Sequence, residues 1–285
     1  MSRLRIFFTT LFIGLIIIGC SKSDPASQDD STPGGLQLYF PPQGTSAWET
    51  VDPMELQWNS NAESPLRNLL EEKGTKAFLI LKDGKIAVEW YFGSFTKDSL
   101  WYWASAGKTL TAFTVGLAQE QGFLQLSDRS SQYLGEGWTD APPEKENLIT
   151  VQDQLTMTSG LNDLFFDCVS PDCLLYAADA GSRWAYHNGP YTLLQDVVAN
   201  AVQLPYENYF NRELRNKIGM DGFWFSTNGL NNVYFSSARS MARFGLLCLN
   251  QGAWNDQPIL SDSTYMLEMS SSSQDLNLAY GYLWW

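Results

Sequence analysis

The chain has 285 residues, of which 44% are hydrophobic and 17% charged, with a formal net charge of -13. That balance suits a globular protein with a sizeable core and excludes a disordered one. The acidity, with no basic run after residue 22, argues against a nucleic-acid partner, because phosphate binding needs clustered Lys and Arg.

The N-terminus carries Arg3 and Arg5, then an apolar stretch from Ile6 to Ile18, then a polar tract. The stretch is too short for a comfortable membrane span and reads as a secretory signal over residues 1–19. Ile17-Ile18-Gly19-Cys20 resembles a bacterial lipobox. In that pattern the chain is cut before Cys20, whose thiol takes a diacylglycerol, so the protein is expected in the bacterial cell envelope, held to a membrane by a lipid. Residues 20–63, whose first part is rich in Ser, Asp, Pro, Gly and Gln, read as a flexible tether.

Folded structure is expected from residue 64. Ser64-Pro65 opens a helix that Gly74 ends. A hairpin follows, with strands Ala77 to Leu81 and Ile86 to Tyr91 around an Asp83-Gly84 turn. Ser105 to Gln121 holds good helix formers with Gly122 as a stop. Thr150 with Asp153 predicts a capped helix to about Thr158. Further helices are predicted over Tyr191 to Val202, Tyr206 to Lys217 and Ser236 to Asn250. Tyr280 to Trp285 reads as an aromatic strand. The order implies a mixed sheet with helices packed on it and a mainly helical insert.

Cys168 and Cys173 flank a turn-forming Val-Ser-Pro-Asp stretch, and an exported chain meets oxidising conditions, so a local disulfide is expected. Cys248 lies in an apolar run and reads as buried and inert.

Several chemistries are excluded. With one histidine, His187, and no ligand spacing, no metal site is expected. No Gly-rich phosphate loop and no GxSxG elbow appear, and no cofactor is implied. A Ser-His-Asp triad would have to use His187. Ser105-Ala106-Gly107-Lys108 offers another route to a nucleophile. At the start of a helix, residues three apart share a face, so the lysine amine lies beside the serine hydroxyl. Burial or a helix dipole lowers a lysine pKa far enough to make it a base. Tyr186-His187-Asn188 puts a phenol and an amide on one side of an extended segment. The phenol can relay a proton, its pKa lowered by a nearby lysine, and the amide can bind a substrate carbonyl.

Together these residues resemble the serine β-lactamase-related family, in its class C β-lactamase, D-alanyl-D-alanine carboxypeptidase and esterase branch. Ser105 to Leu110 resembles the SxxK motif, and Gly122 to Asp128 the segment that commonly follows it. Leu155-Thr156-Met157-Thr158-Ser159-Gly160-Leu161 resembles the "LLTHTSGL" region, and Tyr186-His187-Asn188 the YxN motif. Ser237 to Gly245 resembles the "STARDLARFG" helix, and Tyr280 to Trp285 the "YGYGWW" strand. The resemblance implies an α/β (α+β) fold of β-lactamase/transpeptidase type over residues 64–285. It implies Ser105 as acylated nucleophile, Lys108 and Tyr186 as acid–base groups, and Asn188 as a substrate-binding residue. The substrate would be a small molecule or peptide: a β-lactam, a D-Ala-D-Ala peptide, a carboxylic ester or an aminohexanoate-type amide. The family's third motif, KTG or HTG, lies on a strand beyond residue 285, so the chain reads as a fragment lacking its last strands. The alternative is an inactive envelope lipoprotein that binds peptidoglycan or a protein partner.

Overall fold

The hairpin forms as its sequence dictates. In the computed structural model, which describes residues 38–165, 167–226 and 231–285, β1 (Ala77–Lys82) pairs antiparallel with β2 (Lys85–Tyr91). Asp83 and Gly84 have φ of 51° and 83°, the two positive values that a tight I′ turn requires. Ahead of the hairpin lies α1 (Glu63–Glu72), closed by Gly74 at φ 72°.

A second sheet, in the order β3–β5–β4, joins β3 (Trp101–Tyr102), β5 (Asn232–Ser236) and β4 (Phe223–Ser226). Its inner face sends Trp103, Tyr234 and Trp224 into the core, where their rings meet at 5.1 to 5.8 Å.

The core centres on α2 (Gly107–Glu120), which is buried on every face, including Thr111 and Thr114. Such a helix must satisfy its own polar groups. The Thr114 hydroxyl donates to the Leu110 carbonyl at 2.7 Å, and the Thr111 hydroxyl accepts from Gln195 at 3.2 Å. Short helices α3 (Ser131–Leu134) and α4 (Pro143–Glu146) lead to α5 (Val151–Leu155), whose Thr150–Asp153 capping box is fully formed. α5 stops short of the expected Thr158 because Met157 has φ 60°, a left-handed value that no helix continues through. The Met157 carbonyl then receives the Ala185 N–H at 3.0 Å, which pins the segment just before Tyr186.

Next come α6 (Asn188–Val202), α7 (Tyr206–Phe210), a π turn (Asn211–Arg215) and α8 (Asn216–Ile218). After the second sheet, α9 (Ala238–Leu249) packs on β1, a small hairpin joins β6 (Ala253–Trp254) to β7 (Gln257–Pro258), and α10 (Ser263–Ser270) ends on α2. At Gly116 the Tyr265 ring of α10 comes so near that an added Cβ would lie 2.4 Å from it.

Two expectations need correction. Residues 38–62, assigned to the tether, belong to the folded unit. The segment lies along β2, with Val51 N–H on the Ile86 carbonyl at 3.0 Å and Ile86 N–H on the Glu49 carbonyl at 2.9 Å. Phe40 meets Trp254 at 5.1 Å, and Arg239 binds Glu89 and the Ser46 carbonyl. Sheet-edge hydrogen bonds and buried aromatics thus hold a stretch whose Pro, Gly and Ser content suggested a linker. Tyr280 to Trp285 is not a strand. Its amides go to separate partners, Tyr282 to the Met269 carbonyl and Leu283 to the Leu155 carbonyl, and Leu283 turns the chain at φ 58°. The expected signal sequence, the expected lipidation site Cys20 and the expected tether up to residue 37 lie outside the described residues.

Arg243 clamps the N-terminal segment. It is 4% exposed and donates to the carbonyls of Pro41, Pro42 and Ile218 at 2.8 to 3.2 Å. Burial pulls its guanidinium down to about 10. Arg243→Met leaves those carbonyls without their donor and is expected to cost about 3 kcal/mol in urea unfolding. A cost below about 1 kcal/mol would show the clamp to be dispensable.

Candidate active site

Ser105 sits where β3 hands over to α2. Trp103 is fixed first, its N–H on the Tyr234 carbonyl at 2.8 Å and its indole N–H on the Ser236 hydroxyl at 2.7 Å. Ala104 then takes φ 48°, a strained value for a residue with a Cβ. Ser105 follows in a 3-10 turn (Ala104–Ala106) and is half-buried at the mouth of α2. The positive end of the helix dipole points at it.

Lys108 lies one turn on and is 1% exposed. Its ammonium stands 4.1 Å from the ring centre of Tyr191 and 4.9 Å from that of Tyr186. Burial lowers its pKa to about 8, and the charge of Asp167 opposes that shift. Burial wins because an ammonium among aromatic rings loses its water.

Tyr186 reaches in from the segment before α6 and donates its hydroxyl to Ser105 Oγ at 2.8 Å. Burial raises its pKa, and the bond to Ser105 only partly offsets this. The expected lowering by the lysine is therefore reversed, because the ring is half-buried. At neutral pH the phenol keeps its proton, and Lys108 is the group of the two closer to losing one. Trp285 meets the Tyr186 ring edge-on at 5.7 Å and stacks on Tyr280 at 5.6 Å.

Asn188 begins α6, 6% exposed, with its amide nitrogen donating to Asp167 Oδ1 at 2.7 Å. Asp167 takes one N–H of that nitrogen, and the second N–H remains for the expected grip on a substrate carbonyl. His187 is buried and its pKa is pulled down by burial. No hydrogen bond joins its ring to Ser105, whose side-chain partner is Tyr186. Cys168 and Cys173 form the expected disulfide, with Cα atoms 6.3 Å apart. Cys248 is free and half-buried, its thiol pushed up to about 12 by burial. Among the described residues no cluster of His, Cys, Asp or Glu could hold a metal ion. No described helix is long and apolar enough to cross a membrane.

The structure thus brings Ser105, Lys108 and Tyr186 together, with Asn188 beside them. Sequence reasoning missed Tyr191 and Asp167. Tyr191 lies one helical turn after Asn188, a spacing that could have pointed to it. Asp167 carried no local signal.

A mixed, mainly antiparallel fold with a Ser-x-x-Lys at the mouth of a buried helix and a tyrosine on the serine defines the β-lactamase/transpeptidase-like class. The model of the Beta-lactamase family matches residues 66–285, and the chain belongs to that family, whose members are generally hydrolases. PbpX of Bacillus subtilis (strain 168), which carries a penicillin-binding-protein name, is 28% identical over 174 residues, covering 54% of this chain. The chain spans only 42% of that relative's length. Among solved structures, an octameric penicillin-binding protein homologue from Pyrococcus abyssi aligns with TM-score 0.64 and 18% identity, over 79% of this chain and 64% of its own. A Bacillus anthracis protein named as a 6-aminohexanoate-dimer hydrolase aligns with TM-score 0.67 and 18% identity, over 87% and 75%. At such identities these two likenesses speak for the fold alone.

Proposed function

We propose that the chain is a serine hydrolase acting through a Ser105 acyl-enzyme, with Lys108 and Tyr186 as its acid–base pair. The observation that carries this reading is the Tyr186 hydroxyl donated to Ser105 Oγ at 2.8 Å. For Ser105 to attack, its proton must pass to a base other than Tyr186, whose raised pKa keeps the phenol protonated. Lys108, on the same face one turn along, is a buried amine of depressed pKa and suits that role. Neutral Lys108 takes the proton as Ser105 Oγ attacks the acyl carbon. Tyr186 gives a proton to the departing amine or alkoxide and regains one from Lys108. Water then cleaves the ester by the reverse relay, releasing an acid.

The substrate class is an amide or ester: a β-lactam, a D-Ala-D-Ala peptide, a carboxylic ester or an aminohexanoate-type amide. We place the protein in the cell envelope, exported and lipid-anchored through Cys20. The alternative, an inactive lipoprotein binding peptidoglycan or a partner, is opposed by the intact Ser105–Tyr186 contact.

The pH profile tests the assignment of the base. Lys108 acts only when neutral, so kcat/KM for an activated ester is expected to climb with pH and level off above about 8. A profile that is flat, or falls, between pH 6 and 8 would remove Lys108 as base.

A further inference from the structure

The face that α6 turns toward α2 carries more than packing. Lys108 and Thr111 lie one turn apart on α2, and Tyr191 and Gln195 one turn apart on α6, so each pair shares a helix face. The two faces meet. Gln195 donates to the Thr111 hydroxyl at 3.2 Å, and the Lys108 ammonium stands over the Tyr191 ring, 4.1 Å from its centre. Tyr186 offers a second ring at 4.9 Å. Among the described residues the carboxylate whose charge reaches Lys108 is Asp167, which acts through space and not by a hydrogen bond.

Tyr191 is itself held at both ends. Its backbone lies in α6, its side chain is buried, and its hydroxyl donates to the Asn232 carbonyl, at the start of β5, at 3.3 Å. The Asn232 amide in turn donates to Gln195 Oε1 at 2.7 Å. The phenol is thus spent on a structural bond, and burial raises its pKa, so at neutral pH it keeps its proton. What it presents to Lys108 is the face of its ring. A carboxylate bonded to a lysine holds the ammonium too firmly for the amine to act as a base, whereas a bare apolar wall makes the charged form too costly to reach. A ring face lies between these limits, because its quadrupole attracts the ammonium weakly and the neutral amine hardly at all.

We propose that Tyr191 is a positioning residue for the proton transfer: its ring face holds the Lys108 amine on the side it shares with Ser105 and stabilises the ammonium formed when that amine takes the serine's proton. The proposal rests on the Ser105 acyl-enzyme reading and says how its base is held. In the step itself Ser105 Oγ bonds to the acyl carbon and its proton passes to Lys108 Nζ, so one positive charge appears over the ring.

The test compares Tyr191→Phe with the same substitution carrying one, two and three ring fluorines, which keep the ring's shape and drain its face of negative charge step by step. kcat/KM for an activated ester is followed from about pH 6 to about pH 10, beside a urea unfolding curve. Between the plain and the trifluorinated ring, the midpoint of the rise is expected to move down by about 0.7 pH units, since a weaker attraction favours the neutral amine. The plateau is expected to fall about twofold, because the amine has become a weaker base, so the two profiles cross. Tyr191→Leu, which removes the face, is expected to lower the plateau about tenfold by letting the amine leave its place. A merely structural role for Tyr191 would change stability without moving the midpoint in step with the fluorines. Should the substituted proteins not fold, carbon-13-labelled lysine in the wild type answers instead. The ε-methylene signal that Lys108→Met removes is expected upfield of the other lysines, shifted by the ring, and to titrate near pH 8. A midpoint indifferent to fluorination, or a Lys108 signal at the ordinary lysine position, would overturn the proposal. A wild type with no hydrolysis and no labelling at Ser105 would instead overturn the acyl-enzyme reading beneath it.

Discussion

Ser105→Ala is expected to lower hydrolysis by about 10³-fold or more and to leave folding intact, because it removes the oxygen that forms the acyl-enzyme. Ser105 is half-buried in a turn whose geometry is set by its neighbours, Trp103 on β5 and Ala104 at φ 48°. Its hydroxyl has Tyr186 as partner, and alanine leaves that phenol without it while the backbone is kept. The measurement is kcat on an activated ester beside a urea unfolding curve. A variant keeping a tenth or more of wild-type activity would move the chemistry elsewhere. His187 would be no substitute, since it is buried without a hydrogen bond to the serine.

Lys108→Met is expected to act in two directions at once, abolishing activity and stabilising the fold. Activity falls by about 10³-fold because the serine's proton loses its acceptor. Stability rises because an ammonium sits in an aromatic pocket that methionine fills without charge. The folded pKa is about 8 against an ordinary 10.5. The unfolded chain therefore holds the proton more tightly than the folded one. The resulting penalty is fully present below pH 8, fades between 8 and 10.5, and is absent above. At pH 7 it amounts to about 3 kcal/mol, less about 1 kcal/mol for attraction to the Tyr186 and Tyr191 rings. Lys108→Met is thus expected to gain about 2 kcal/mol at pH 7, with the gain shrinking as pH rises past 8. A loss at pH 7 would mean that the ammonium is well paired and unsuited to act as a base. A residue kept at a cost to stability is the pattern expected of a site held for its chemistry.

Much of the framework was legible because the signals were local. Asp83-Gly84 names its turn type, Thr150 and Asp153 cap each other, and Ser105 to Lys108 needs only one helical turn to meet. What stayed hidden depends on contacts across the chain. Residues 38–62 are polar and proline-rich, yet Phe40 finds Trp254 and the carbonyls of Pro41 and Pro42 find Arg243. Tyr280 to Trp285 has the aromatic content of a strand, but the amides of Tyr282 and Leu283 are spent on α10 and on the end of α5. The phenol of Tyr186 was expected to lose its proton more readily beside a lysine. Burial, which no short motif reports, reverses the direction. Asp167 gained meaning only once the disulfide loop had placed its carboxylate on Asn188.

The central claim is that Ser105 is the nucleophile. Intact-protein mass spectrometry after exposure to a fluorophosphonate and, separately, to a penicillin tests it most directly, with peptide mapping of any adduct and Ser105→Ala as control. The account predicts one fluorophosphonate adduct, mapped to Ser105 and absent from the variant. An adduct on another residue, or none on the folded full-length protein, would contradict it.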